Sequence, residues 1–162
     1  MNNFQTTIKK EVTLTGVGLH TGKNVTLKFA PAAANSGYKF VRYDLEDAPE
    51  IEADVQWVTD TQRGTNLEKN GVKINTSEHV LSALVGLQID NCTIYLDAPE
   101  PPIMDGSSIH FVNALKKAGI TTLEEERDEY IVKEVINYKD EATGSEMTII
   151  PSDTYQITTM VD

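Results

Sequence analysis

Hydrophobic and polar positions alternate through much of the first hundred residues. Thr6 to Leu14 is β-branched at Thr6, Thr7, Ile8, Val12 and Thr13, which predicts one strand. Gly16-Val17-Gly18 interrupts it, and His20-Thr21-Gly22 turns the chain. Asn24 to Phe29 places Val25, Leu27 and Phe29 on one face, predicting a second strand and a hairpin. Tyr38 to Tyr43 alternates as a third strand, and Ile51 to Val58 as a short fourth. Thr65 to Leu67 and Val72 to Ile74 flank Asn70-Gly71, a hairpin signal.

The period then changes. Val80, Leu81, Ala83, Leu84, Val85 and Leu87 make a broad apolar helical face, with Thr76 or Ser77 available as N-cap. Cys92 to Leu96 is an apolar strand, stopped by Ala98-Pro99-Glu100-Pro101-Pro102. A second helix is predicted from Ser107 to Lys117, with Asp105, Ser107 or Ser108 as cap and Gly119 closing it. Strands with two helices and few βαβ crossovers predict an α+β fold, a two-layer sandwich of one sheet packed against two helices. Glu124 to Glu129 carries five acids and one base and reads as a solvated linker. Beyond it, Tyr130–Tyr138, Met147–Ile150 and Tyr155–Val161 are strand-like with no helix to cover them. The expected division is therefore a first sandwich domain over 1–125 and the opening strands of a second over 126–162.

Composition narrows the partners. The 162 residues hold 14 Lys+Arg against 25 Asp+Glu, a net charge of −11. That opposes nucleic acid and anionic membrane surfaces, which need cationic side chains. A single cysteine excludes an internal disulfide and a Cys-rich zinc module. Apolar runs fall far short of the roughly 20 residues that span a bilayer, and no secretory signal pattern opens the chain. A cytoplasmic protein without a stable membrane anchor is expected.

Three clusters could carry chemistry. In Thr76-Ser77-Glu78-His79 an adjacent carboxylate and imidazole open a helix. Such a pair can place a general base and a metal ligand beside one water, or it can be a plain capping segment with a partly exposed His. Gly16-Val17-Gly18-Leu19-His20-Thr21-Gly22 allows close backbone approach, and reads otherwise as a tight hairpin with a surface His. Pro101-Pro102-Ile103-Met104-Asp105-Gly106-Ser107-Ser108 reads as helix capping. His110 reads as packed or exposed, and Cys92 as a core residue with an inert thiol. The three histidines, at 20, 79 and 110, show no metal-ligand spacing. A catalytic zinc usually takes three protein ligands, so these residues do not complete a site.

Taken in order, these clusters, with Ala83-Leu84, Gly86-Leu87, Asp90-Asn91 and Pro99-Glu100, resemble the UDP-3-O-acyl-N-acetylglucosamine deacetylases, the zinc amidases of lipid A biosynthesis. The resemblance covers residues 4–162. It implies two similar domains of the ribosomal protein S5 domain 2-like kind, with the site between them. It further implies zinc as cofactor, Glu78 as general base and His79 as a zinc ligand. His20, with Leu19, lies near the site by the same resemblance. Arg63 belongs to the segment Asp60–Thr65, which falls where the family has a small inserted sheet bordering the site. The substrate implied is a UDP-linked acylated amino sugar, and the expected partner is the second domain of the same parent. The family's other two zinc ligands lie in a His-x-x-x-Asp motif of that second domain, as does a further His acting as general acid. None of these is present here, so the 162 residues by themselves are expected to be inactive. The competing reading is a non-catalytic α+β module or fragment, including one from a parent fused to a 3-hydroxyacyl-acyl-carrier-protein dehydratase.

Overall fold

A computed structural model describes residues 3–160. Its contacts divide the chain into two compact units, Met1–Arg127 and Asp128–Asp162.

The first unit is α+β. Strands β2 (Val12–Val17), β3 (Asn24–Pro31), β4 (Tyr38–Arg42), β5 (Glu50–Glu52) and β9 (Cys92–Leu96) form a five-stranded sheet in the order β2-β3-β9-β4-β5. Its pairs are antiparallel except β4 with β9, which run parallel. The alternation read from the sequence has its cause here: Val25, Leu27, Phe29, Ile94 and Leu96 are buried, while Thr26, Lys28, Thr93 and Tyr95 between them are only partly so.

Helices α1 (Glu78–Gly86) and α2 (Ile109–Ala118) add Val80, Ala83, Leu84, Phe111, Leu115 and Ala118 to the same core. Phe29 and Phe111 meet edge to face at 6.3 Å, joining sheet to helix. Gly119 ends α2 at φ 77°, its N–H returning to the carbonyls of Leu115 and Lys116. A second, three-stranded sheet comprises β6 (Val58–Asp60), β7 (Asn66–Lys69) and β8 (Val72–Ile74), with Leu67 and Ile74 buried. The hairpin around Asn70-Gly71 lies at the β7–β8 turn, where both residues have positive φ.

Several expectations need correction. Thr6–Leu14 is two strands: β1 (Phe4–Ile8) and β2 join different sheets. The charged run Lys9-Lys10-Glu11 separates them and is exposed. Gly16 and Val17 do not end the strand, which runs through Val17. Ile51–Val58 breaks into the end of β5, a 3-10 turn at Val55–Trp57 capped by the Asp54 carboxylate, and the start of β6. The acidic stretch at 124–126 is the end of β10 (Ile120–Glu126), which pairs antiparallel with β1. Its ladder hydrogen bonds outweigh the poor strand propensity of consecutive glutamates.

Among the described residues, the second unit contains one antiparallel hairpin, β11 (Ile136–Lys139) with β12 (Glu146–Ile149), Ile136 opposite Ile149. The strand expected over Tyr130–Tyr138 is confined to its last three residues. The one expected at Tyr155–Val161 is not formed through Met160, and Val161 lies outside the described residues. Apolar side chains of this unit are exposed, Tyr130 and Met160 among them.

Candidate functional site

Glu78 and His79 open α1, as expected, but the cap is not a side chain. Ser77 is N-cap without a side-chain cap bond; its hydroxyl donates instead to the Thr65 carbonyl at 2.8 Å. The Ser77 amide donates to that same carbonyl at 3.1 Å. Loop 61–65, between β6 and β7, is thus fastened to the head of α1. Glu78 completes the fastening: its Oε2 accepts the Thr65 N–H at 2.8 Å. Gly64 makes room for it, since a Cβ there would lie 3.2 Å from Glu78 Oε1 and 3.3 Å from Thr76 Cα.

The Glu78 and His79 side chains stand side by side, His79 Nε2 3.9 Å from Glu78 Oε1, with 38% and 30% of their surfaces exposed. Both groups are therefore open to a ligand, and Glu78 is held in place by the Thr65 N–H.

The glycine turn comes to the same place. His20 is exposed, and its Nε2 lies 3.2 Å from the Arg63 carbonyl oxygen. Leu19 is exposed beside it. Gly18 is required by proximity: a Cβ there would stand 2.3 Å from Thr21 Oγ1 and 2.6 Å from Glu100 Oε2. Gly16 abuts the proline turn, where a Cβ would fall 2.8 Å from that of Pro102. Ile103 N–H donates to the Val17 carbonyl at 3.0 Å. The structure therefore gathers the three sequence clusters, and Leu19, His20, Arg63, Glu78 and His79 share one network of loops.

His110 takes no part in this network. It pairs with Asp105 at 3.3 Å, both exposed. Asp105 itself accepts the Ser107 hydroxyl and amide, bonds that together hold its carboxyl below the usual value. Ser108 is the N-cap of α2 and makes no side-chain cap bond; the Ser107 hydroxyl, one residue earlier, accepts Ile109 N–H at 3.3 Å. Cys92 is fully buried, and burial pushes its thiol up to about 12, which makes it inert.

Glu100, read from the sequence as part of a strand-ending turn and of the family-like motif but given no role in the site, is fully buried at the centre of this network. It accepts the His20 and Thr21 amides and the Thr76 hydroxyl at 3.0–3.1 Å. Burial by itself raises its carboxyl, but the bonds from Thr21, His20 and Thr76 outweigh that and hold it below its ordinary value. The sequence marks it only as a glutamate inside a proline-rich turn, Pro99-Glu100-Pro101-Pro102, within the family-like motif.

Among the described residues, no group of three or more His, Cys, Asp or Glu side chains gathers as a metal site. Among the described residues, one open hollow of about 370 Å³ borders the glycine cluster, lined by Gly16, Val17, Asn24 and Asp97, and another of about 450 Å³ is lined by Thr13, Lys28, Tyr43 and Tyr95. Neither is lined by Glu78 or His79, so their size does not make them the site. No helix among the described residues is long and apolar enough to cross a membrane.

Architecture and site together define an α+β domain that presents a carboxylate–imidazole pair at a helix head, ringed by loops from three parts of the chain. A sequence model of the LpxC family, described as UDP-3-O-acyl N-acetylglycosamine deacetylase, matches residues 5–162, and the chain belongs to that family. Among its relatives is the bifunctional enzyme LpxC/FabZ of Chlorobaculum tepidum, 46% identical over 98% of this chain and 34% of the relative. The UDP-3-O-acyl-N-acetylglucosamine deacetylase of a Psychrobacter species is 51% identical over 72% of this chain and 39% of its own length. That of Citrifermentans bemidjiense is 41% identical over 95% of this chain and 50% of its own. The chain thus spans a third to a half of the curated relatives it matches.

Proposed function

We propose that the whole protein removes the N-acetyl group from UDP-3-O-(3-hydroxyacyl)-N-acetylglucosamine, releasing acetate, as the committed step of lipid A biosynthesis. Glu78 is the general base and His79 a metal ligand, with His20, Leu19 and Arg63 bordering the site. The observation that carries this reading is the Glu78–His79 pair at the head of α1, its carboxylate oriented by the Thr65 N–H.

The donors present fit part of a zinc site, one imidazole with an adjacent carboxylate. Zinc, when bound, supplies a Lewis acid that lowers the pKa of water toward about 7 and steadies a developing oxyanion. Glu78 takes the proton of the water that attacks the acetamide carbonyl. A second acid, assigned to a His of the family's second domain, protonates the leaving amine. The remaining metal ligands are assigned to the His-x-x-x-Asp motif of that domain. We read residues 1–125 as a first S5 domain 2-like sandwich and 126–162 as the opening strands of a similar second one. Relatives named as LpxC/FabZ enzymes favour a parent of that fused kind. The reading places the protein in the cytoplasm, where one free, buried cysteine is ordinary.

The test is Glu78→Ala in the whole protein. Turnover is expected to fall by orders of magnitude with metal content near normal, and wild-type turnover would overturn the assignment. The 162 residues by themselves are expected to be inactive and to bind zinc weakly; tight, stoichiometric zinc in metal analysis contradicts the half-site.

A further inference from the structure

A carboxylate buried among neutral donors calls for an explanation, because burying a charge is costly. Glu100 is 0% exposed, and the donors that reach it are all uncharged. Its Oε1 takes the Thr76 hydroxyl at 3.0 Å and the His20 amide at 3.1 Å. Its Oε2 takes the His20 amide at 3.1 Å and the Thr21 amide at 3.0 Å. Donors therefore converge on both oxygens. Only a carboxylate offers acceptors at both; a glutamine would turn an NH2 toward one of them.

What those donors belong to is the second observation. His20 and Thr21 lie in the glycine turn. Thr76 lies two residues ahead of Glu78, with φ 54°. A β-branched residue in the left-handed region is a strained outlier, held only where its surroundings over-determine it. Thr76 is held from two sides, its hydroxyl on Glu100 and its amide on Asn66 Oδ1 at 3.1 Å. Gly18, with no Cβ, lets the carboxylate come this close.

We propose that Glu100 is a positioning residue of the site: its carboxylate fastens the His20 turn to the strained Thr76, and so sets the direction in which Glu78 and His79 leave the helix head. This rests on the reading of Glu78 and His79 given above. Glu100 acts through Thr76 and His20 and does not itself meet the substrate.

The test is Glu100→Gln in the whole protein, followed by hydrogen–deuterium exchange and kinetics. Exchange in peptides spanning 18–22 and 75–78 rises about tenfold or more, while β3 and β9 keep their protection. Turnover falls about ten- to a hundredfold, mostly in kcat rather than KM, as expected for misplaced catalytic groups. Unchanged exchange at 18–22 together with unchanged turnover overturns the proposal. So does a uniform rise in exchange with normal turnover per folded molecule, since that is mere structural support. If Glu100→Gln does not fold, Thr76→Val keeps the shape, removes one donor and is read by the same criteria. Wild-type turnover in Glu78→Ala would instead sink the site reading, and exchange in Glu100→Gln would still report the tether.

Discussion

Two buried polar residues organise opposite duties in the first unit. Asn91 is 1% exposed; its Oδ1 accepts the amides of Ser36 and Gly37, and its Nδ2 donates to Gln5 Oε1. Gln5 in turn reaches Asn35 and the Glu126 carbonyl, so Asn91 knits the 35–37 turn to β1 and β10. Glu100 likewise accepts backbone amides from a distant turn. The two differ in charge and in what they hold. A neutral amide both donates and accepts, which suits a seam between strands. A carboxylate only accepts, which suits a point where donors from separate loops converge. The same device, a buried side chain satisfying backbone N–H groups, serves stability in one place and orientation in the other.

The sharpest way to separate the two is to change Glu78, the carboxylate proposed as general base and proposed to be positioned through Glu100. Glu78→Gln is expected to cut turnover of the whole protein about 10²- to 10⁴-fold while the melting temperature stays put. Steady-state kinetics beside a thermal melt reads both. Asn91→Ala should do the reverse. It removes the acceptor of the Ser36 and Gly37 amides and the partner of the buried Gln5, so urea unfolding should show a loss of about 1–3 kcal/mol, with turnover per folded molecule unchanged. A large kinetic defect in folded Asn91→Ala would erase the distinction.

The charge supplies a third difference. The Glu100 carboxyl is held below its ordinary 4.5 when folded. Its contribution to stability is therefore complete above 4.5 and is lost as pH falls through the lower folded value. Wild type should lose more stability on acidification across that window than Glu100→Gln, whereas Asn91→Ala should track wild type in slope. Parallel acid titrations of all three by circular dichroism show whether the slopes diverge. The smallest effect belongs to neither network. Lys28 and Glu11 pair at 3.3 Å with side chains 34% and 57% exposed, so Glu11→Ala should shift stability by less than about 0.5 kcal/mol.

How far these regions were legible follows from where their signals lie. The faces of β3 and β9 and the stripes of α1 and α2 were readable because burial imposes a period on Val25, Leu27 and Phe29, or on Val80, Ala83 and Leu84. Strand β10 was hidden because Glu124–Glu126 resemble a solvated run; only pairing with β1, more than a hundred residues away, makes them a strand. Glu78 and His79 were visible as a dipeptide at a helix start. Their setting was not: the Thr65 amide, the Arg63 carbonyl and the Glu100 carboxylate arrive from other loops. Charge in a proline-rich turn ordinarily means exposure, and nothing local marks Glu100 as buried.

The β1–β10 pairing also bears on how the chain is made. Phe4 faces Glu126 and Ile8 faces Ile120, so the first strand has its only sheet neighbour among the described residues at the far end of the unit. During synthesis, the N-terminal strand must wait until residues 120–126 have left the ribosome. The polar seam around Gln5 and Asn91 cannot be completed earlier, because the Glu126 carbonyl belongs to it. Such long-range closure slows folding and leaves a strand edge open in the nascent chain. The glycine turn, the head of α1 and Glu100 all lie within the first hundred residues, so the site's own tether can form while the sheet that closes the unit is still being translated.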